Sequence, residues 1–300
     1  MKKSLLCALL TLCIAFSANS QTGSKRTGDY LGEDPPGLKP KVFAPGIVSL
    51  PQDYEFGSVF SSNGSEFYYA VNVGPIAEIR RIARSANGWS KPVTILTSDK
   101  YSHNDPFLSK DGKRLYFISD RPLTGVGEKK DYDIWYVKRE RKAWSLPVNA
   151  GPAINSGQNE YYVSLSNDGN MYFSSNGRVN TNSDNYDIFS AKKIKEDFAP
   201  AVRLDESINT DAYEADVFIA PDESYLIFCA DRPDGFGSGD LYVSFRMEDG
   251  SWSKSKNMGR TLNTQDNELC PFVTADGKYF FYTSNKEIYW IDAKIIQSLK

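Results

Sequence analysis

Alternating apolar and polar residues surround a two-residue turn at five places along the chain. In "DPFLSKDGKRLYFIS" and "YYVSLSNDGNMYFSS" an Asp-Gly turn separates two such runs, which is a strong sequence signal for a β-hairpin. The turns are Asn63-Gly64, Asp111-Gly112, Asp168-Gly169, Asp222-Glu223 and Asp276-Gly277, and they recur every 48 to 57 residues. Each repeat is therefore predicted to open with two antiparallel strands.

Two further short runs follow each hairpin. The third run reads "DIWYVKR", "DIFSAKK" and "DLYVSFR" in the middle repeats, and the fourth begins with an aromatic residue, as in "WSKPVTI" and "WSLPVNA". Four strands in about 50 residues are typical of one β-propeller blade. No stretch of useful length has helical spacing, so the fold class predicted is all-β.

The fifth repeat is incomplete, and its missing strand is predicted to lie at the other end of the chain. After "EIYWIDA" the sequence ends in "KIIQSLK", whereas "GLKPKVFAPGIVS" at residues 37–49 resembles a fourth strand without a blade. A ring whose last blade is shared by both termini would satisfy the sheet edges that an open array exposes. We predict five four-stranded antiparallel blades, with repeats near residues 55–103, 104–159, 160–213, 214–267, and 268–300 plus 37–49.

These motifs carry a resemblance to a known family. The pattern S-x-D-G-x-x-L-Y-F-x-S-x-R, then D-I-Y/W, W-S-x-P and "LNTQDNE", resembles the TolB-type, WD-like β-propeller repeat of secreted proteins from Bacteroidetes-type bacteria. The resemblance spans residues 37–300 and implies the propeller fold and a place in the cell envelope, where the repeat often accompanies an OmpA-like peptidoglycan-binding domain. TolB itself has six blades, and a shared fold does not transfer a function.

The N-terminus has the pattern of a secretory signal peptide. Lys2 and Lys3 precede an apolar run, and Ala18-Asn19-Ser20 provides the small residues that precede cleavage. We predict cleavage after Ser20 and a periplasmic or secreted protein. A lipoprotein attached at Cys13 is the alternative, whereas about 12 apolar residues are too few to span a bilayer.

The segment after the predicted leader is polar and lacks either hydrophobic period. Residues 21–36, "QTGSKRTGDYLGEDPP", are rich in Gly and Pro and are predicted to form a flexible linker. The single domain predicted thus begins at residue 37.

Composition and charge exclude some function classes. A chain of 300 residues with 40% hydrophobic content can bury a large core. Its net charge of −3 argues against nucleic-acid binding, which requires clustered basic residues. Loss of the leader would leave Cys229 and Cys270, for which we favour two free, buried thiols, although a disulfide is possible. A monomer without a transmembrane span is expected.

Arg and Asp recur between the second and third strands of the middle repeats. The pairs are Arg121 with Asp133, Arg178 with Asp187, and Arg232 with Asp240. A ring of ligand-binding arginines is one interpretation. We favour a structural latch in which each Arg pairs with the Asp of its own blade. The aromatic residues that open the fourth strands are expected to pack between blades; they are Trp89, Trp144, Phe198 and Trp252.

The position eight residues before each turn also recurs in the five repeats, and we call these five positions the glutamate register. It contains Glu55, His103, Glu160, Glu214 and Glu268, and His103 is the only histidine of the chain. The carboxylates could accept backbone hydrogen bonds at the start of each innermost strand. If they instead point into the channel, their mutual repulsion favours a weakly bound divalent cation or a cationic partner group. Both interpretations stay open, and the identity of any metal is unknown.

The sequence favours binding over catalysis. One histidine and no G-x-S-x-G elbow argue against nucleophilic hydrolysis, and no phosphate-binding motif indicates a nucleotide cofactor. We predict a non-catalytic binding or scaffold module whose loop face, carrying the loops between second and third strands, contacts an envelope protein or a glycan. The alternative is a glycosidase or lyase that uses channel carboxylates.

Overall fold

A computed structural model describes residues 26–141, 143–177 and 185–300. Five antiparallel sheets, each built around four strands, follow one another along the chain. Successive sheets pack their innermost strands against each other, and the fifth packs back on the first. The predicted all-β, five-bladed propeller is confirmed.

The strands follow the chain blade by blade, apart from β1 (Lys41–Val42), which belongs to the last blade. Blade 1 contains β2 (Glu55–Phe60), β3 (Glu66–Val73), β4 (Ile76–Ser85), the short β5 (Gly88–Trp89) and β6 (Val93–Leu96). Blade 2 contains β7 (Asn104–Leu108), β8 (Arg114–Ser119), β9 (Asp133–Glu140), the short β10 (Ala143–Trp144) and β11 (Val148–Asn149).

The remaining blades repeat this order. Blade 3 contains β12 (Glu160–Leu165), β13 (Met171–Ser175), β14 (Asp187–Ala191) and β17 (Val202–Arg203), with a small hairpin of β15 (Lys193–Ile194) and β16 (Asp197–Phe198). Blade 4 contains β18 (Tyr213–Ile219), β19 (Tyr225–Asp231), β20 (Asp240–Phe245) and β21 (Lys256–Asn257). Blade 5 contains β22 (Glu268–Val273), β23 (Tyr279–Ser284) and β24 (Glu287–Asp292), followed by α1 (Lys294–Gln297).

The ring closes as the sequence predicts. Strand β1 pairs antiparallel with β24, so that Lys41 faces Trp290 and Val42 faces Tyr289. The next residue, Phe43, donates its N–H to the Ile288 carbonyl at 2.8 Å and is fully buried. Its ring contacts four aromatic rings, Phe60 and Phe67 of blade 1 and Phe281 and Trp290 of blade 5. We call this boundary between blade 5 and blade 1 the closing seam.

The predicted linker is wrong for the part that the structure describes. A 3₁₀ turn at Tyr30–Gly32 docks at the closing seam, where the Tyr30 ring packs 4.6 Å from that of Tyr279 and its hydroxyl donates to Asp276 at 2.7 Å. Leu31 is 1% exposed. Tyr30 and Leu31 pack on the aromatic cluster around Phe43, and the Trp89 indole N–H donates to the Gly28 carbonyl at 2.8 Å, so that apolar and polar contacts together bind this segment to the blades.

Each innermost strand is interrupted at the same place. The register between the first and second strands of every blade shifts two residues after the predicted Glu or His position. The residues at these bulges all have positive φ values, between 46° and 54°; they are Gly57, Asp105, Tyr162, Asp216 and Cys270. Bulges bend a strand and redirect a side chain, and here they turn five side-chain positions toward the axis of the ring.

Three asparagines connect the blades at the segments leading into the innermost strands. Asn155 accepts the N–H of Ile134 at 2.9 Å and donates to its carbonyl at 2.9 Å. Asn209 and Asn263 hold Ile188 and Leu241 in the same two-point way. Each asparagine thus ties the third strand of one blade to the segment that begins the next blade.

Across the described residues, no helix is long and apolar enough to cross a bilayer.

Starting the mature chain at Glu55 should weaken the fold severely. This truncation removes β1 and Phe43, and loss of one buried phenylalanine alone costs about 3–5 kcal/mol. A chain starting at Pro36 is the matched control, because it loses Tyr30 but keeps β1. Thermal unfolding should rank the full mature chain above the control and the control well above the Glu55 truncation. Equal melting temperatures for all three chains would contradict closure by β1.

Candidate binding site at the mouth and axis of the channel

Side chains from non-adjacent blades meet at the axis of the ring. The Cys270 Sγ of blade 5 lies 3.6 Å from Asp105 Oδ1 of blade 2 and 3.6 Å from Asp216 Oδ2 of blade 4. The Tyr162 hydroxyl of blade 3 donates to the Pro271 carbonyl of blade 5 at 2.8 Å. Blade 5 shares no seam with blade 2 or blade 3, so only the centre of the ring brings these side chains together. We call Asp105, Tyr162, Asp216 and Cys270 the axial cluster.

A glycine in blade 1 makes room for this cluster. A Cβ atom at Gly57 would lie 2.6 Å from Asp105 Oδ1 and 3.0 Å from the Asp105 Cα. The φ of Gly57 is also positive, at 50°. The position therefore needs glycine both for its backbone conformation and for the close approach of Asp105.

The two axial carboxyl groups have no cationic partner among the described residues. Neither Asp105 nor Asp216 forms an ion pair there, and their polar contacts are the Cys270 thiol and, for Asp216, the Cys270 N–H at 3.1 Å. Burial raises the pKa of Asp105 to about 8, with a further contribution from the charge of Asp216. Burial also raises the pKa of Asp216 to about 6, against the two hydrogen bonds from Cys270. The pair therefore holds a proton near neutral pH.

Cys270 is a hydrogen-bond donor in this cluster. Burial, together with the charges of Asp216 and Asp105, raises the pKa of its thiol well above the usual range, so the reactive thiolate is disfavoured. A thiol has one proton and can donate to only one of the two carboxylates at a time. Both Cys229 and Cys270 are free and buried, which confirms the prediction of two free thiols.

A row of tyrosines lines the mouth above the axial cluster on the loop face. Ring centroids are separated by 5.0 Å for Tyr132–Tyr161, 5.8 Å for Tyr161–Tyr186 and 5.4 Å for Tyr186–Tyr213. All four are partly exposed. Tyr54, directly before β2, is also partly exposed, and burial together with the charges of Cys270, Asp105 and Asp216 raises its pKa to about 12. We call Tyr54, Tyr132, Tyr161, Tyr186 and Tyr213 the tyrosine rim.

The predicted glutamates lie at the starts of the innermost strands, fully buried. Three of them accept hydrogen bonds from the preceding segment and from the end of the second strand of their own blade: Glu160 from Ser156 and Ser175, Glu214 from Thr210 and Arg232, and Glu268 from Thr264 and Ser284. At these three blades the contacts match the interpretation that the carboxylates accept hydrogen bonds at the start of the innermost strand. Among the described residues, no three His, Cys, Asp or Glu side chains form a group able to hold a metal ion.

Glu55 and His103 differ from the other three. Glu55 receives a single hydrogen bond, from the Leu50 N–H at 3.1 Å. His103 is 4% exposed, and its Nδ1 has no hydrogen-bond partner among the described residues. Burial and the nearby Arg121 lower the pKa of His103 to about 4. The histidine is therefore neutral at physiological pH.

Two of the three predicted latch pairs, Arg121 with Asp133 and Arg232 with Asp240, do not form in the structure. Asp133 contacts Lys130 at 3.0 Å and Asn149 at 2.8 Å, while the Arg121 guanidinium lies over the Trp135 ring. Arg232 pairs with Glu214 at 2.9 Å.

The other two aspartates also have different partners. Asp187 pairs with Arg203 through two bonds of 2.9 Å, and Arg178 lies outside the described residues. Asp240 accepts the N–H groups of Phe236 and Gly237 and the amide of Asn257. The aspartates thus bind donors on the fourth strand or in their own loop.

The aromatic residues of the fourth-strand segments combine ring packing with cation–π contacts. Trp144 of blade 2 packs on Tyr68 of blade 1, with centroids 6.3 Å apart, so the expected contact between blades occurs here. Arginines cover the rings of Trp89, Trp144 and Trp252, and Lys193 covers Phe198.

Comparison with known proteins shows the fold of the chain but no family to which it belongs. No family model and no curated protein matches the chain. The putative TolB from Agrobacterium tumefaciens is 15% identical, with a TM-score of 0.52, covering 79% of this chain and 72% of that one. A protein of unknown function from Dyadobacter fermentans is 11% identical, with a TM-score of 0.53 and coverage of 86% and 83%. A gluconolactonase from Xanthomonas campestris is 13% identical, with a TM-score of 0.49 and coverage of 78% and 70%.

These likenesses confirm the predicted TolB-type β-propeller fold. They carry no activity to this chain, since proteins with different activities share this architecture. The predicted Bacteroidetes-type origin stays a prediction.

Replacing Asp105 with asparagine should remove much of the pH dependence of stability. A carboxyl group whose pKa is raised in the folded state stabilises the fold below its ordinary pKa, and this contribution is lost as pH rises through about 8 for Asp105. Asparagine mimics the protonated form. Thermal unfolding between pH 5 and pH 9 should fall less steeply for Asp105→Asn than for the parent. Asp99→Asn, at an exposed position, is the control, and an equal slope in all three proteins would contradict the axial assignment.

Proposed function

We propose that this chain is a non-catalytic binding or scaffold module of the bacterial cell envelope and that its partner, an envelope protein or a glycan, contacts the loop face. The observation that carries the proposal is the tyrosine rim, a row of partly exposed rings around the mouth of the channel. Tyrosine offers a large, rigid contact area with a polar tip, and it is enriched at binding surfaces.

The acidic pair beneath the rim defines the chemistry that the mouth favours. Asp105 and Asp216 lack a cationic partner among the described residues, whereas Asp133, Asp187 and Glu214 each have one. A cationic group that entered the mouth would gain from these carboxylates and from the faces of the tyrosines. We therefore propose that the cation or ligand predicted for Glu55, His103, Glu160, Glu214 and Glu268 is received at Asp105 and Asp216.

The place of this module in the cell rests on the leader sequence. Residues 1–20 fit a signal peptide that is cleaved after Ser20, and they lie outside the described residues. The TolB-type fold and the absence of a membrane-spanning helix among the described residues agree with a periplasmic location. A lipid anchor at Cys13 is the alternative within the same compartment.

One observation favours the alternative of a glycosidase or lyase. The two axial carboxyl groups differ in their environments, because Asp216 accepts the Cys270 N–H at 3.1 Å and Asp105 does not, and two carboxyl groups in different environments can supply an acid and a base. Against this, Asp105 is only 7% exposed. Cleavage of an envelope polysaccharide that disappears in both Asp105→Asn and Asp216→Asn would establish the alternative.

Photo-cross-linking should map the partner to the loop face. A photoreactive phenylalanine derivative at Tyr161 or Tyr213 occupies the rim, whereas the same group at Lys110 lies in an exposed hairpin turn on the opposite face. Irradiation of cells that secrete these variants should give covalent adducts from the two rim positions and none from Lys110. Separate analysis of protein and glycan adducts identifies the class of partner.

The substitution of the acidic pair provides the second arm of this experiment. Asp105→Asn combined with Asp216→Asn should reduce the yield of rim adducts at least several-fold if a cationic group enters the mouth. Equal adduct yields from Lys110 and from the rim, or no adducts from any position, would contradict a partner on the loop face.

A further inference from the structure

The boundary between each pair of blades contains a pair of titratable side chains. The N–H of the residue that starts each innermost strand donates to the carbonyl just before an acidic residue of the preceding blade, as Glu160 does to Tyr132 at 2.7 Å and Glu55 to Lys286 at 3.1 Å. The resulting pairs are His103 with Glu78, Glu160 with Asp133, Glu214 with Asp187, Glu268 with Asp240, and Glu55 with Glu287. Four of the five seams therefore bring two carboxyl groups together.

Donors within each blade bind the outer acid in four seams, although Asp133 Oδ1 has no hydrogen-bond partner among the described residues. The donor comes from the fourth strand of the same blade: Thr94 for Glu78, Asn149 for Asp133, Arg203 for Asp187 and Asn257 for Asp240. The inner glutamates of three seams receive donors from both sides. Ser175 and Ser284, which pair directly with Glu160 and Glu268 in the strand register, donate hydroxyl hydrogen bonds of 2.9 Å and 2.7 Å.

The closing seam lacks both kinds of donor. Its fourth strand is β1, where Val42 lies opposite Tyr289, so the position that holds Asn or Arg in blades 2 to 4 is apolar. Glu55 lies opposite Val71, which has no hydroxyl to donate.

Four oxygen atoms around Glu55 are left unpaired. Glu55 Oε2, Glu287 Oε2, Ser49 Oγ and the Tyr69 hydroxyl are buried without a hydrogen-bond partner among the described residues, and Glu55 and Ser49 are 0% and 4% exposed. Unpaired buried polar groups of this kind are costly.

The charges around Glu55 do not remove this cost. Asp53 precedes β2, Lys286 and Glu287 come from blade 5, and Tyr69 and Arg80 project from β3 and β4. Arg80 is the cation on that side, and it is engaged by Glu78 at 2.7 Å and by Asp53 at 3.7 Å. Lys286 is exposed. Ionised Glu55 would therefore face further negative charge with a single backbone donor.

We propose that the closing seam is a proton-binding site and that the ring closes most tightly when the Glu55 carboxyl group carries a proton. The proton comes from solvent as the pH falls, and it converts an unpaired buried carboxylate into a neutral group that can donate from Oε2. The closure of the ring is then linked to the acidity of its surroundings. This inference is independent of the function proposed above.

The electrostatics of the seam agree with this assignment. Burial raises the pKa of Glu55 to about 7, and the charges of Glu287 and Asp53 raise it further against the Leu50 hydrogen bond. Because the pKa is raised relative to the unfolded chain, the stabilisation is complete below the ordinary glutamate pKa and is lost as pH rises through about 7.

The test is the pH dependence of unfolding in matched variants of the mature chain. Between pH 5 and pH 7 the folded parent should bind about one proton more at Glu55 than the unfolded chain does. The free energy of unfolding should therefore fall as the pH rises through this range. Glu55→Gln should lose this part of the slope and melt at a higher temperature than the parent at pH 8. Val71→Thr preserves shape and adds the hydroxyl group found in blades 3 and 5, so its slope should also be shallower.

Val243→Thr is the control, because it places a hydroxyl group at another fully buried valine in blade 4. It should lower the melting temperature at every pH without changing the slope. The proposal is overturned if Glu55→Gln has the slope of the parent, or if Val71→Thr behaves like Val243→Thr. If Glu55→Gln does not fold, the comparison between the two threonine variants decides the question.

Discussion

The pairing of β1 with β24 is the contact on which the rest of the structure depends. It joins Val42 to Tyr289, close to the two ends of the propeller, and it covers the one sheet edge that the repeats cannot cover by themselves. The cost of closing so long a loop is entropic, and the aromatic cluster around Phe43 offsets it by burying apolar area on both sides. Once the ring is closed, five innermost strands begin at one mouth.

Closure also creates the axial cluster. Blades 2 and 5 are not neighbours in the ring, yet the Cys270 Sγ lies 3.6 Å from Asp105 Oδ1 as well as 3.6 Å from Asp216 Oδ2. The bulges turn these side chains inward, and the ring keeps other charges away from them. The same geometry therefore explains the raised pKa values and the acidic floor beneath the tyrosine rim.

The sequence predicted the fold well because its signals are local and repeated. Turns such as Asp111-Gly112, alternating strands and the incomplete fifth repeat determine the blades and the closing strand. The glutamate register was also visible, and the Asn and Ser or Thr that precede it in "INSGQNE", "INTDAYE" and "LNTQDNE" were an available signal for the hydrogen bonds that satisfy it.

The site was less accessible to prediction because it lies where the repeats differ. The position two residues after the register holds Gly57, Asp105, Tyr162, Asp216 and Cys270, with no common chemistry to align. In a regular β-strand this position would lie on the same side as the glutamate two residues earlier. The bulge turns its side chain toward the axis instead. The predicted pair of Arg232 with Asp240 was wrong for a related reason. Pairing of the first and second strands of the blade brings Arg232 to Glu214 instead.

The most direct test of the binding account is calorimetric titration of the mature chain with N-acetyl-lysine amide at pH 7, in buffers of different ionisation enthalpy. If a cationic group enters the mouth, binding should release part of a proton from the Asp105–Asp216 pair, and both heat and proton release should vanish in the double Asp→Asn variant. Binding without proton release, or equal heat from the parent and the double variant, would contradict the account.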